Sequence, residues 1–243
     1  VTTAPSAPVS LVTGASRGIG AAISERLARD GHHLVLTARS EKELLSVDDR
    51  IHEAGGAATI APLDLKDSEG IDRLGAAIAS RFGTIDTLVL NAAILGTLSP
   101  LGHIPPKEFE EVIAVDLVAQ WRMIRAFDPL LRRSRGVVVA ITSSVARGGR
   151  AYWGAYAVAK AGFEALVGTY ADEMTALGVR VLLVDPGGTR TGMRAKAFPG
   201  EDPKTLKTPD IVADRIAEAL AAGLPRGLTR LLIAKDGSVS RSG

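Results

Sequence analysis

Six short runs rich in Val, Ile and Leu alternate with longer amphipathic segments, and this alternation limits the fold more than any other feature of the chain. The runs are Val9–Thr13, Leu34–Thr37, Ala58–Leu63, Thr87–Leu90, Val137–Thr142 and Val179–Val184, with Leu231–Ala234 as a seventh candidate. Near-continuous apolar runs of this length read as strands covered on both faces. Between them Ile19, Ile23 and Leu27 recur at helical spacing and stop at Asp30-Gly31, while Glu41–Ala54 stops at Gly55-Gly56. Asp67–Phe82, Pro106–Arg133, Tyr156–Leu177 and Pro209–Ala222 complete the helical set. Strand–helix alternation implies a parallel sheet wound by right-handed crossovers. No repeat, low-complexity tract or linker divides the 243 residues. The expectation is a single α/β domain over 1–243, doubly wound, with a mainly parallel seven-stranded sheet flanked by helices. Gly192–Thr208 lacks a clear period and holds Pro199-Gly200 and Pro203. With the residues just before it, about 188–208, it reads as a surface loop or as a mobile substrate lid.

Composition removes several classes of function. At 46% hydrophobic the chain can bury a sizeable core. The 29 Lys and Arg nearly cancel 27 Asp and Glu, and aromatics make up 4%, so no basic stripe with stacking platforms points to nucleic acid. The absence of cysteine excludes disulfides, thiolate metal sites and a cysteine nucleophile. His32, His33, His52 and His103 are scattered, without metal spacing or a Ser/His/Asp pattern, so no metal is expected. Val1–Ser10 does not read as a signal peptide, and no run approaches a membrane span. A cytoplasmic protein without a membrane partner is expected.

Two motifs carry chemistry. Thr13-Gly14-Ala15-Ser16-Arg17-Gly18-Ile19-Gly20 follows the first strand and leads straight into a helix. Its glycines permit a tight turn, and the helix N-terminus offers free N–H groups and a positive dipole end, which suits a pyrophosphate in a Rossmann-type fold. The second is Tyr156-Ala-Val-Ala-Lys160, with Ser143-Ser144 upstream. Four-residue spacing puts the phenol and the ammonium on one helix face. A cation there is expected to stabilise the phenolate and lower its pKa toward neutrality.

In this order the motifs resemble the short-chain dehydrogenase/reductase family over nearly the whole chain. Thr13-Gly14-x-x-x-Gly18-x-Gly20 is similar to its cofactor turn, with Ser16, Arg17 and Ile19 inside it. Asp64, followed by Leu65, matches the acid used near the adenine. Asn91-Ala92-Ala93 resembles the Asn-Ala-Gly after the fourth strand. Pro186-Gly187, with Thr189 and Thr191, resembles the segment that shapes the nicotinamide site. Ser144, Tyr156 and Lys160 match the catalytic serine, tyrosine and lysine, Tyr156 and Lys160 also serving the cofactor. Ser143 is the substitute for Ser144 if the strand-end register differs by one. The resemblance implies hydride transfer between a nicotinamide and a small carbonyl or alcohol, Tyr156 giving or taking the proton. It also implies a homodimer or homotetramer through Pro106–Arg133 and Tyr156–Leu177.

The second strand ends in Thr37-Ala38-Arg39-Ser40, with Arg39 where an acid would bind the ribose hydroxyls of NAD(H). With Arg17 as a second cation, NADP(H) is expected, NAD(H) being the alternative. Departures from the family pattern are Asp116 in place of asparagine, Ala93 in place of glycine, and a short polar Lys235–Gly243. Asp116 can accept a hydrogen bond from a relay water to Lys160, and it is expected to raise that lysine's pKa and shift the pH optimum. Tyr152, Trp153 and Phe198 suggest an apolar pocket, while Arg147, Arg150 and Arg194 could meet an anion. One version of the reading reduces 3-oxoacyl thioesters, a carrier docking on Arg122, Arg125, Arg132, Arg133 and Arg135. The rival class is a non-catalytic NADP(H)-binding redox sensor or regulatory protein.

Overall fold

The computed structural model describes residues 7–242. Its strands are β1 (Val9–Thr13), β2 (His33–Thr37), β3 (Ala57–Ile60), β4 (Thr87–Leu90), β5 (Val137–Ile141), β6 (Arg180–Asp185), β7 (Gly227–Ile233) and β8 (Val239–Ser242). They form one sheet in the order β3-β2-β1-β4-β5-β6-β7-β8, parallel throughout except for β8, which runs antiparallel to β7. The α/β architecture is the expected one. Strand order reverses beside β1, where β2 lies on one side and β4 on the other. In open sheets of this kind ligands bind outside the carboxyl ends of the strands at that reversal.

Among the described residues there are eight helices, α1 (Gly18–Arg29), α2 (Glu41–Glu53), α3 (Ser68–Phe82), α4 (Pro106–Ile113), α5 (Ala119–Ser134), α6 (Gly154–Met174), α7 (Gly192–Ala197) and α8 (Pro209–Ala221), of which α1, α2, α3, α5, α6 and α8 cover the two faces of the sheet. The period-2 alternation of strand side chains divides the core between them. Leu11, Leu88, Val138 and Val181 meet Ile78 of α3, Phe127 of α5 and Phe163 of α6. Their neighbours Val12, Val89, Val139 and Leu182 meet Ile23 of α1, Val47 of α2 and Ile216 of α8. Phe127 and Phe163 are almost wholly buried, and each such side chain stabilises the fold by roughly 1.5–3 kcal/mol. Two-sided burial is the reason the strands lack a polar alternation. Among the described residues no helix is long and apolar enough to cross a membrane.

The structure departs from expectation in three places. First, the sheet has eight strands, because the polar C-terminal segment folds back through Asp236-Gly237. Ser238 donates from its N–H and hydroxyl to Asp236 Oδ1 at 2.9 and 2.7 Å, Gly237 takes φ 84°, and β8 closes the edge. All four residues of β8 are exposed, so it carries no apolar pattern to read. Val1–Ser6 and Gly243, which the sequence reading also covered, lie outside the described residues. Second, the expected helix Pro106–Arg133 is interrupted by a widened π-type turn at Ala114–Val118, in which the N–H of Ala119 reaches back to the carbonyl of Ala114. Such turns recur at functional sites, and this one carries Asp116. Third, the 192–208 segment carries secondary structure. Thr191 caps α7 by accepting from Arg194 N at 3.2 Å, and a short 3-10 turn follows at Pro203–Thr205.

Candidate active site

The carboxyl ends of β1 and β4 are tied together at the strand-order reversal. Thr13 Oγ1 donates to the Val89 carbonyl at 3.0 Å and accepts from the N–H groups of Asn91 and Ala92 at 2.9 and 3.1 Å. Asn91 Nδ2 donates to the carbonyls of Thr13 at 2.9 Å and Gly14 at 3.2 Å. Asn91 therefore braces the glycine turn from behind. Gly14 takes φ 64°, and a Cβ there would stand 2.9 Å from Asn91 Nδ2. A Cβ on Gly20 would collide with the Gly14 carbonyl. These contacts draw the turn close against the start of α1. That helix begins at Arg17 with no side-chain cap and no acid in its first turn, so its leading N–H groups remain open to an anion.

Around this turn, Ser16, Gly18 and Ile19 are partly buried and Arg17 is exposed, 3.8 Å from Glu43. Arg39 is exposed just past β2. Asp64 follows β3 and accepts from Lys66 N at 2.9 Å, while Leu65 belongs to the core. Pro186 and Thr189 are buried, and the Thr189 hydroxyl donates to the Pro186 carbonyl at 3.1 Å. Lys207, which sequence reasoning missed, pins this segment: its Nζ donates to the Gly188 and Ile233 carbonyls at 3.1 and 3.2 Å. A Cβ on Gly18 would lie 3.5 Å from Thr191, so the start of α7 faces the glycine turn.

The second half of the site lies at the end of β5. Tyr156 and Lys160 are both buried on α6, and Lys160 Nζ donates to the Ile141 carbonyl at 2.9 Å while standing 5.7 Å from the Tyr156 ring centre. Ser143, not Ser144, is the serine that reaches the phenol. It is partly buried and favours the ionised tyrosine, whereas Ser144 opens a 3-10 turn and is exposed. Just past β5, the N–H of Thr142 still reaches the Val184 carbonyl at 2.8 Å.

The electrostatics also differ from expectation. Burial, reinforced by Asp116 and Asp185, pushes the Tyr156 phenol well above its ordinary value, and Ser143 only partly opposes this. Burial lowers the Lys160 ammonium, and Asp116 opposes that shift without reversing it. The phenol is thus raised where a cationic lowering was expected, and the expected raising of the lysine by Asp116 is outweighed by desolvation. Asp116 is itself pushed up to about 6 by burial, against the pull of Lys160 and the N–H of Ile94. Its Oδ1 accepts from Ile94 N at 2.8 Å, and its buried Oδ2 has no hydrogen-bond partner among the described residues.

Over Tyr156 lies an apolar cluster with Leu95, Val145, Trp153, Met193 and Ala197. Trp153 stands edge-on to Tyr156 at 5.9 Å and 5.7 Å from Phe198. α7 thus covers the phenol, and the cavity of about 250 Å³ beside α7 is lined by Arg190, Arg194, Phe198 and Leu206 but not by Tyr156. Below runs a charged network that sequence reasoning also missed. Glu164, one turn past Lys160, accepts from the Thr142 hydroxyl at 2.8 Å and from Arg230 at 3.0 Å. Arg147 lies 3.8 Å from Glu164 and 3.6 Å from buried Asp185. The four-residue step from Lys160 to Glu164 was a readable signal for a shared helix face.

Comparison with known proteins agrees with this geometry. The short chain dehydrogenase family matches residues 8–202. The uncharacterized oxidoreductase YciK of Escherichia coli K12 is 40% identical over 203 residues, 82% of this chain and 80% of YciK. The 3-oxoacyl-acyl-carrier-protein reductase FabG of Vibrio cholerae is 32% identical over 211 residues, 86% of this chain and 84% of FabG. A crystal structure of a short chain dehydrogenase from Shigella flexneri 2a, complexed with NADP, matches with a TM-score of 0.87 at 36% identity, over 92% of this chain and 95% of that one. With the family matched over most of its length and the sheet, glycine turn and Tyr156–Lys160 pair in their expected order, this chain belongs to the short-chain dehydrogenase family of oxidoreductases.

Proposed function

We propose that the protein is an NADP(H)-dependent oxidoreductase that interconverts a small carbonyl compound and its alcohol, with Tyr156 as proton donor in reduction and acceptor in oxidation. The observation that carries this reading is the buried phenol of Tyr156, with Ser143 against its hydroxyl and buried Lys160 one turn along, at the strand ends beside the glycine turn. The residues present fit a dinucleotide: α1 offers an uncapped N-terminus, and Gly14 and Gly20 leave the turn no room for a side chain. The Shigella relative, which carries NADP, supports the choice of cofactor, as do exposed Arg17 and Arg39 near the ends of β1 and β2. When bound, the nicotinamide supplies or accepts the hydride.

The remaining work falls to this chain. Ser143 orients the substrate oxygen and stabilises charge that grows on it. Tyr156, raised by burial, holds its proton at neutral pH, which suits the reductive direction. Lys160 limits the cost of phenolate formation and binds the cofactor's ribose hydroxyls. Asp116, with one oxygen unpaired, accepts from the water that relays protons to Lys160. Residues 188–208 act as a lid, and α7 swings away from Trp153 and Tyr156 to admit substrate. Val118 and Trp121 beside α5 and Val158 on α6 are exposed apolar residues that support a homo-oligomer through these helices.

A narrower version has 3-oxoacyl thioesters as substrates, which the likeness to FabG favours. The basic face expected to dock a carrier is thinner than the sequence suggests. Arg132 lies 3.5 Å from Asp128, and Arg133 donates to the Gly83 carbonyl at 2.9 Å. The test is titration with NADPH and NADH, followed by a turnover screen on free carbonyl compounds and their carrier thioesters. NADPH-dependent reduction of free carbonyls is the expected result. Tight NADPH binding without turnover on any of them would transfer the assignment to a regulatory binding protein.

A further inference from the structure

Four arginines ring the lid and the phenol, and their partners set them apart. Arg147 is neutralised by Asp185 and Glu164, and Arg194 is held by both oxygens of Glu201 at 2.6 and 2.7 Å. Arg190 is exposed and has no acidic partner among the described residues, but it directly precedes Thr191, at the glycine-turn end of the lid. Arg150 is the different one. Among the described residues it too has no carboxylate within ion-pair reach, and its guanidinium stands 5.2 Å from both the Trp153 and Phe198 rings. Trp153 belongs to the apolar cluster over Tyr156, and Phe198 follows the far end of α7. A charge stacked on the body and on the lid at once is held in place while its N–H edges stay open.

The loop that delivers this arginine is itself constrained. Tyr152 takes φ 73°, a costly conformation for a bulky residue, and its carbonyl accepts from Ser99 N at 3.0 Å. The turn seats Trp153 over Tyr156 and leaves Arg150 at the outer rim of the same cluster. An apolar cluster around the phenol with an unneutralised cation stacked at its rim suits a molecule with an apolar body and an anionic end.

Building on the oxidoreductase reading, we propose that the substrate is an apolar oxo compound or alcohol bearing a carboxylate, and that Arg150 is the specificity-determining residue that binds this carboxylate. Because Arg150 stacks on Trp153 and on Phe198 of the lid, the bound carboxylate also favours the closed lid.

The test compares a graded set of cyclic and open-chain oxocarboxylic acids with their methyl esters, in wild type and Arg150→Met, which keeps an apolar stem against the two rings. The saturated, unreactive acids and esters are titrated in parallel onto the NADP-loaded proteins, so binding is read independently of turnover. In wild type the best acid is expected to exceed its ester by about tenfold or more in kcat/KM, through KM, and its saturated analogue to bind correspondingly tighter. In Arg150→Met the preference disappears while ester turnover and NADPH affinity stay within about twofold. The proposal is overturned if wild type binds acid and ester alike, or binds neither, or if Arg150→Met keeps the acid preference. Selective acid binding lost in Arg150→Met, with no turnover of any oxo acid, would sustain the carboxylate site and count against the oxidoreductase reading alone.

Discussion

The glycine turn and the Tyr156 pocket lie at the same carboxyl-terminal end of the sheet but are built on opposite principles. The turn is a backbone device: glycines at Gly14 and Gly20, a bracing Asn91 and an uncapped helix, with its two arginines in solvent. The pocket is a burial device, in which Tyr156, Lys160 and Asp116 all depart from their ordinary pKa values and desolvation is the leading cause for each. A phosphate can be held with open N–H groups at the surface, whereas a proton must be handled where water cannot compete. The two regions should therefore respond differently to substitution, in size and in pH dependence.

Ser143 and Ser144 provide the largest contrast after the tyrosine itself. Ser143→Ala is expected to lower kcat by about 10²-fold, the usual cost of one donor to a developing oxyanion. Ser144→Ala, at an exposed hydroxyl, should stay within about twofold. Equal effects in steady-state assays with NADPH would contradict the choice of Ser143 over Ser144.

Asp116→Asn examines burial itself. The Asp116 carboxyl sits near 6, above the ordinary value of 3.8, so the folded protein keeps a proton that the unfolded chain has already lost. The contribution of Asp116 to stability should thus fall as pH rises from about 4 to about 6, by up to about 3 kcal/mol, and level off above. Asp116→Asn should lack this fall, which urea unfolding across that range would detect. Asp116 also raises both Tyr156 and Lys160, so the asparagine variant should move the alkaline limb of the rate profile to lower pH. An unchanged pH–rate profile would remove Asp116 from the proton relay.

The smallest expected effect is at the turn. Arg39→Ala should reduce the NADPH-over-NADH preference by about tenfold, the low end for a charge-assisted contact because the guanidinium is exposed and screened. Fluorescence titration with both cofactors at fixed ionic strength measures this. No loss of preference would leave Arg17 as the remaining discriminating cation.

The contrast between regions also explains what the sequence could reveal. Glycine spacing, a missing acid after β2 and apolar runs are local properties of the chain, and each is legible without coordinates. β8 was missed because its four residues are exposed and only the Asp236-Gly237 turn announces it. Ser143 and Ser144 are chemically identical in a string, and only the fold shows that Ser143 is partly buried and Ser144 exposed. The spacing of Tyr156 and Lys160 gave their proximity correctly but not the direction of either pKa, since burial depends on what α7 and the sheet place around them. Arg147, Arg150 and Arg194 look alike in the chain and part ways only through Asp185 and Glu201, acids remote in sequence from Arg147 or carried by the folded lid.

The central claim is that the buried phenol of Tyr156 moves the proton while the glycine turn anchors the cofactor's phosphates. Tyr156→Phe removes one oxygen and nothing else, so its NADPH dissociation constant and its rate of carbonyl reduction at saturating NADPH should separate. The account predicts an affinity within about threefold of wild type and a rate lower by at least 10²–10⁴-fold, the range for loss of a positioned general acid. A phenylalanine variant that keeps more than about a tenth of the wild-type rate would contradict it.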